Sequence, residues 1–132
     1  MKINFVGSCL VLLILPFFTY SQSSFSKQDL DKILDEDNPV VSVLVIYRSE
    51  SGVMHLGTEA KARKITEKYE GADFYSMDLS DNELNELYYE YNKDLRIDYV
   101  PGLHVFKNGS IISTLNTLGI MQDLEQIIED NL

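Results

Sequence analysis

The chain reads as an α/β domain: a central mixed β-sheet flanked by helices on both faces. Three observations predict this. Residues 40–47 (VVSVLVIY) form an almost continuous β-branched run, which suits a strand buried on both sides. Stretches with helical apolar spacing alternate with further strand-like runs, the pattern of a sheet layered with helices. Asn108-Gly109 then sits between two apolar runs, the strongest short hairpin signal there is.

Each element follows from local chemistry. Ser26 with Asp29 three residues later marks a helix start, and Leu30, Ile33 and Leu34 supply its apolar side. Asp37-Asn38-Pro39 ends it, and the strand at 40–47 follows. Residues 48–57 are a polar, Gly-containing loop. Thr58 opens a helix to about Tyr69, with Ala62, Ile65 and Tyr69 on one side and Gly71 as its stop. A second strand covers 73–79. Ser80 and Glu83 read as a capping box for a helix that carries Leu84, Leu87 and Tyr88 to about Tyr91. Strands at 103–107 and 110–115 flank the hairpin turn. A last helix covers about 121–130, with Leu124, Ile127 and Ile128 inward. The order is αβαβαββα.

With 132 residues the chain makes one domain. Residues 1–21 read as a secretory signal peptide. Lys2 gives the positive start, 11–18 (VLLILPFF) the short apolar core, and Thr19-Tyr20-Ser21 the small residues before cleavage. The core is too short for a membrane span of roughly 20 residues, which disfavours an uncleaved anchor. A lipoprotein reading of Val6-Gly7-Ser8-Cys9 is weaker still, because the apolar core follows the cysteine instead of preceding it. The domain is therefore expected at 22–132, exported to the periplasm or secreted, or in the endoplasmic reticulum lumen of a eukaryotic host. No membrane insertion is expected after cleavage.

Charge narrows the partners. The chain has 11 basic and 21 acidic residues; removing Lys2 with the leader leaves 10 against 21. So acidic a surface repels phosphate backbones, and nucleic acid is excluded as a partner. The one cysteine, Cys9, lies in the leader, so the domain carries no thiol. Thiolate chemistry is excluded for the mature chain.

From 40 to 132 the chain resembles the thioredoxin-like family. The resemblance rests on Ile97-Asp98-Tyr99-Val100-Pro101, then Leu103 and Val105-Phe106-Lys107-Asn108-Gly109, and on the closing Leu124, Ile127-Ile128 and Asn131-Leu132. It implies the thioredoxin fold and a cis bond before Pro101. It also implies that the Val100 backbone faces a groove where family members pair with extended peptides. The departures bear on activity. The family's Cys-x-x-Cys falls on Gly52-Val53-Met54-His55, the buried acid on Ile46, the helix-kinking proline on Ala60, and the threonine after the cis-proline on Gly102. Thr117 stands where a glycine is usual, with Gly119 nearby, and almost no sequence remains for the family's first strand. Disulfide exchange needs an attacking and a resolving thiol, and neither is present.

Other chemistries find little support. His55 is a candidate metal ligand or general base, with His104, Glu50 or Glu59 as partners, but no spacing requires them to converge. Ser49 and Ser51 lack a recognisable base and orienting acid. The acidic clusters at 35–37 and 78–83 lack calcium-loop spacing and read as solvated helix ends. Among Tyr88, Tyr89, Tyr91 and Tyr99, helical spacing places Tyr88 and Tyr91 inward, leaving an exposed tyrosine as an interface anchor. Asn108-Gly109-Ser110 fits a glycosylation acceptor as well as a turn. The expectation is a redox-inactive, exported protein, not an enzyme, with no metal and no cofactor. It binds a polypeptide or protein partner at a groove lined by Gly52, Val53, Met54, His55, Val100 and Pro101. The alternatives are an enzyme with a non-thiol centre at His55, or a structural subunit of an envelope or secretory complex.

Overall fold

The computed structural model describes residues 25–51, 54–97, 100–115 and 121–132. The expected leader at 1–21 lies outside these residues, as do Gly52, Val53, Tyr99, Thr117 and Gly119. Among the described residues no helix is long and apolar enough to cross a membrane.

Among the described residues, four strands form one mixed sheet, flanked by four helices in the expected order. They are α1 (Lys27–Ile33), β1 (Val41–Tyr47), α2 (Met54–Thr66), β2 (Ala72–Asp78), α3 (Asn82–Leu95), β3 (Gly102–Lys107), β4 (Ser110–Leu115) and α4 (Met121–Asn131). The strand order is β2-β1-β3-β4, with β1 parallel to β2 and antiparallel to β3. Every residue of β1 is buried, as a central strand covered on both faces requires. Alternation divides its side chains between two cores. Leu44 and Ile46 meet Leu30, Ile33, Tyr88 and Phe106 on the α1/α3 side, while Val41, Val43 and Val45 meet Ala62, Leu124 and Ile128 on the α2/α4 side. Each fully buried aliphatic side chain contributes roughly 1.5–3 kcal/mol.

The termini of the elements repay comparison with the local signals. Ser26 and Asp29 mark the start of α1 as expected, and they do so as a reciprocal cap. Asn108 (φ 51°) and Gly109 (φ 80°) both take positive φ, the twist that suits a two-residue hairpin turn. A Cβ on Gly109 would lie 2.7 Å from the Leu34 carbonyl oxygen, so the turn packs tightly against the end of α1. Asn108 donates its side-chain amide to the carbonyls of Glu36 and Asn38, which commits the group that a glycan would need.

The largest departures from expectation are at helix ends. First, α2 begins at Met54, not Thr58: the chain helix extends through Gly57, whose cost of roughly 1 kcal/mol relative to Ala is what made the segment read as loop. It ends at Thr66 because Lys68 and Tyr69 close tighter i→i−3 bonds instead. Second, the N-cap of α3 is Asp81, whose carboxylate accepts from the amides of Glu83 and Leu84; Ser80 caps nothing there. Third, α3 runs to Leu95 instead of Tyr91, because buried Leu95 continues the Tyr88–Tyr91 stripe. It stops at Arg96 in the left-handed region (φ 59°), with Arg96 N–H donating to Lys93 and Ile97 N–H to Asn92. That pairing is a Schellman ending, sealed by buried Ile97.

Candidate functional site

Two loops and the start of a helix meet at the carboxyl ends of β1 and β2. After Tyr47 the chain makes one 3-10 turn, Ser49–Ser51, and enters α2 at Met54. The register pairs Ile46 with Gly102, so Pro101, one residue before β3, lies at this same end of the sheet. The Val100–Pro101 peptide bond is cis, as expected. Pro101 is exposed. Val100 is half-buried and packs against the α1/α3 core, so its contribution to any open surface comes from its backbone. Met54 and His55 belong to the first turn of α2. The other two expected groove residues, Gly52 and Val53, lie outside the described residues.

A hydrogen-bond network holds the two loops together. Asp78 at the end of β2 accepts from the backbone amides of Ser49 (2.9 Å) and Ser80 (3.0 Å). Ser80 Oγ accepts from the Glu50 amide at 3.1 Å. Arg48 reaches across to the Leu79 carbonyl and the Asn85 side chain. Its approach to Glu50 is long, 3.9 Å, and largely exposed, so that pair contributes little. Burial alone would raise the Asp78 carboxyl. The hydrogen bonds from Ser49 and Ser80 together outweigh burial and hold it below the ordinary carboxylate range. Asp78 is thus a structural acceptor and not a solvated helix end. No local signal could reveal it, because its partner Ser49 is 29 residues away and is brought near only by the parallel register.

Among the described side chains, those that a non-thiol centre would need do not gather here. Glu59 is engaged by Arg63 at 2.8 Å. His104 alternates with Leu103 and Val105, whose side chains join the α2/α4 core, so it sits on the opposite face from α2. It is 2% exposed, its Nδ1 lies 3.3 Å from Thr114 Oγ1, and its Nε2 has no partner among the described residues. Burial pushes it down to about 4, so it is neutral at pH 7. Among the described residues no group of three His, Cys, Asp or Glu side chains converges. Near the site, the Tyr47 hydroxyl is raised by burial and then by the charges of Glu59 and Asp78, opposed by Arg63. Ile46, where the resemblance would place a buried acid, is fully buried.

The tyrosines divide as helical spacing predicts. Tyr88 is buried, Tyr91 is half-buried, and Tyr89 is 61% exposed, its ring edge-on to Tyr88 at 5.3 Å. Tyr89 is the exposed aromatic on α3.

Comparison with known proteins identifies the architecture. No family model matches the chain, and no curated protein sequence matches it. Solved structures do. A mutant thioredoxin from Halobacterium salinarum aligns over 80% of this chain and 85% of its own, at TM-score 0.59 and 20% identity. A Plasmodium falciparum thioredoxin aligns over 83% and 97%, at 0.59 and 20%. Thioredoxin O2 from Arabidopsis thaliana aligns over 85% of both chains, at 0.58 and 18%. At these identities the likeness is one of fold.

Proposed function

The chain has the thioredoxin fold, and from that premise we propose that it is an exported binding protein without redox chemistry of its own. It holds an extended segment of a partner polypeptide against the backbone of Val100 and the exposed Pro101, with residues 52–55 as the facing wall. The observation that carries this reading is a scaffold kept intact around a centre with no thiol. Asp78, Ser80 and Arg48 pin the loop leading into 52–55, while the chain's one cysteine is Cys9. Disulfide exchange requires two sulfurs, whereas strand pairing requires only main-chain groups at an accessible end of the sheet. Ligands of open α/β sheets favour the carboxyl ends of the parallel strands, the end at which Val100, Pro101 and the start of α2 lie.

The test is an NMR titration of the labelled protein with a permanently unfolded polypeptide. Binding shifts the Val100 amide and those at the start of α2. A saturable interaction that leaves these amides unmoved would refute the groove. The amide is a cleaner reporter than Val100→Asp, which would place a carboxylate against the core. An insulin-reduction assay run beside it should match the reductant-only blank.

A further inference from the structure

Among the described residues, the order β2-β1-β3-β4 leaves β2 with a neighbour on one side only. Which of its peptide groups face outward follows from two bonds. Val41 N–H donates to the Gly71 carbonyl, and Leu79 N–H donates to the Tyr47 carbonyl. Between them the parallel register runs unbroken from Val41↔Ala72 to Tyr47↔Asp78. The odd-numbered residues of β2 therefore turn their peptide groups toward β1. Those of Phe74 and Ser76 turn outward, and nothing among the described residues pairs with them.

The strand reads Ala-Asp-Phe-Tyr-Ser-Met-Asp and has no proline, lysine or bulge, the usual guards of an edge. Its side chains differ by face. Toward α1 it presents exposed Asp73 and half-buried Tyr75, whose hydroxyl is pushed up to about 12 by burial and then by the charges of Asp73 and Asp29. Toward α2 it presents Phe74, with the Arg63 guanidinium 5.2 Å from the ring centre. One face is acidic and aromatic; the other carries Phe74 under the Arg63 guanidinium, followed by Ser76.

We propose that the outer edge of β2 is a second recognition surface, which takes an extended strand of a partner protein whose residues alternate basic and apolar. The backbone of Phe74 and Ser76 supplies the pairing. Lysine or arginine side chains of the incoming strand fall beside Asp73 and Tyr75, and its apolar side chains fall beside Phe74. Charge selects this occupant over a second copy of the chain, because each copy carries a net charge of -10 and would bring its own Asp73 to the edge. The surface is distinct from the groove at Val100 and does not depend on it.

The test uses two fluorescein-labelled octapeptides, one alternating Lys and Val and the other Glu and Val, titrated against the full chain at low salt. The Lys/Val peptide is expected to bind more tightly by at least about tenfold. Asp73→Lys should remove that preference. Ser76→Pro should abolish binding while leaving the fold unchanged, because the lost N–H faces outward and takes no part in pairing with β1. If Ser76→Pro does not fold, Asp73→Lys decides. Equal affinity for both peptides, or affinity that survives Asp73→Lys, overturns the proposal. So do amide shifts confined to Val100 with none at 73–78, which would hand the binding to the groove and leave that reading standing. A dimer of the protein alone that Ser76→Pro dissociates would instead assign the edge to a second copy, and also overturns it.

Discussion

His104 should make the domain lose stability in mild acid, and replacing it should remove the loss. Its ring lies in β3 between Leu44 and Thr114; among the described residues Nε2 has no partner and Nδ1 meets only the Thr114 hydroxyl. Burial holds the folded group at about 4, against an unfolded value of 6.5. The unfolded chain therefore binds more protons between those two pH values, and stability falls as pH falls through 6.5 toward 4. A shift of this size corresponds to a loss of about 2 kcal/mol by pH 5 and about 3 kcal/mol below pH 4. His104→Leu keeps the volume, removes the buried orphan nitrogen and leaves the Thr114 hydroxyl to water, since Thr114 is exposed. At pH 7 it should be neutral or stabilising by about 1 kcal/mol. The assay is urea denaturation of parent and variant from pH 7 to pH 4.5, read as the difference between them. Subtraction cancels the carboxylates and His55, the only other histidine. Parallel curves would refute the reasoning, as would a variant that is strongly destabilised at pH 7.

Four further outcomes are expected. Asp78→Ala should destabilise by about 1–3 kcal/mol, because it leaves the Ser49 and Ser80 amides unpaired, and urea denaturation measures this. Since the Asp78 carboxyl is held below 3.8, its contribution is present above that pH and lost as pH falls through the lowered value; the parent–variant difference should shrink there. Gly109→Ala should cost about 1–3 kcal/mol, because the left-handed turn abuts the Leu34 carbonyl; a thermal melt no lower than the parent's would contradict it. Arg96→Gly relieves a non-glycine residue at positive φ in the α3 terminus and should stabilise by up to about 1 kcal/mol in the same measurement. In an alkaline spectrophotometric titration, Tyr69, bonded to Glu129 at 2.7 Å, and Tyr75 should both ionise only near pH 12; two missing late tyrosines would count against both placements.

Elements whose signals are local were legible in the sequence. The Ser26–Asp29 cap, the apolar run of β1, the Asn108-Gly109 turn and the inward stripe of α4 each depend on residues within a few positions of one another. Where two adjacent residues are equally good caps, tertiary contacts choose. Ser80 is drawn away by the Glu50 amide, and Asp81 caps α3 in its place. Gly57 has the look of a loop residue but lies in α2, because the packing of Ala62 and Ile65 outweighs its low helix propensity. The site divides along the same line. The positions of Val100, Pro101 and the start of α2 at one end of the sheet follow from the order of elements. The network through Asp78 and the burial of His104 follow from register, which no window of sequence contains.

The two proposed surfaces answer differently to salt, and that difference separates them. Binding at Val100 and Pro101 relies on main-chain pairing and apolar contact, which ionic strength barely changes. Binding at the β2 edge relies on Asp73 for its preference, and that charge is exposed and open to screening. The Debye length falls from about 10 Å at 0.1 M to about 3 Å at 1 M salt. The preference for the Lys/Val peptide should therefore fade across that range while the shift at the Val100 amide persists. A partner that is favoured over its acidic counterpart at 0.1 M salt but not at 1 M belongs to the edge, and one whose affinity is indifferent to salt belongs to the groove.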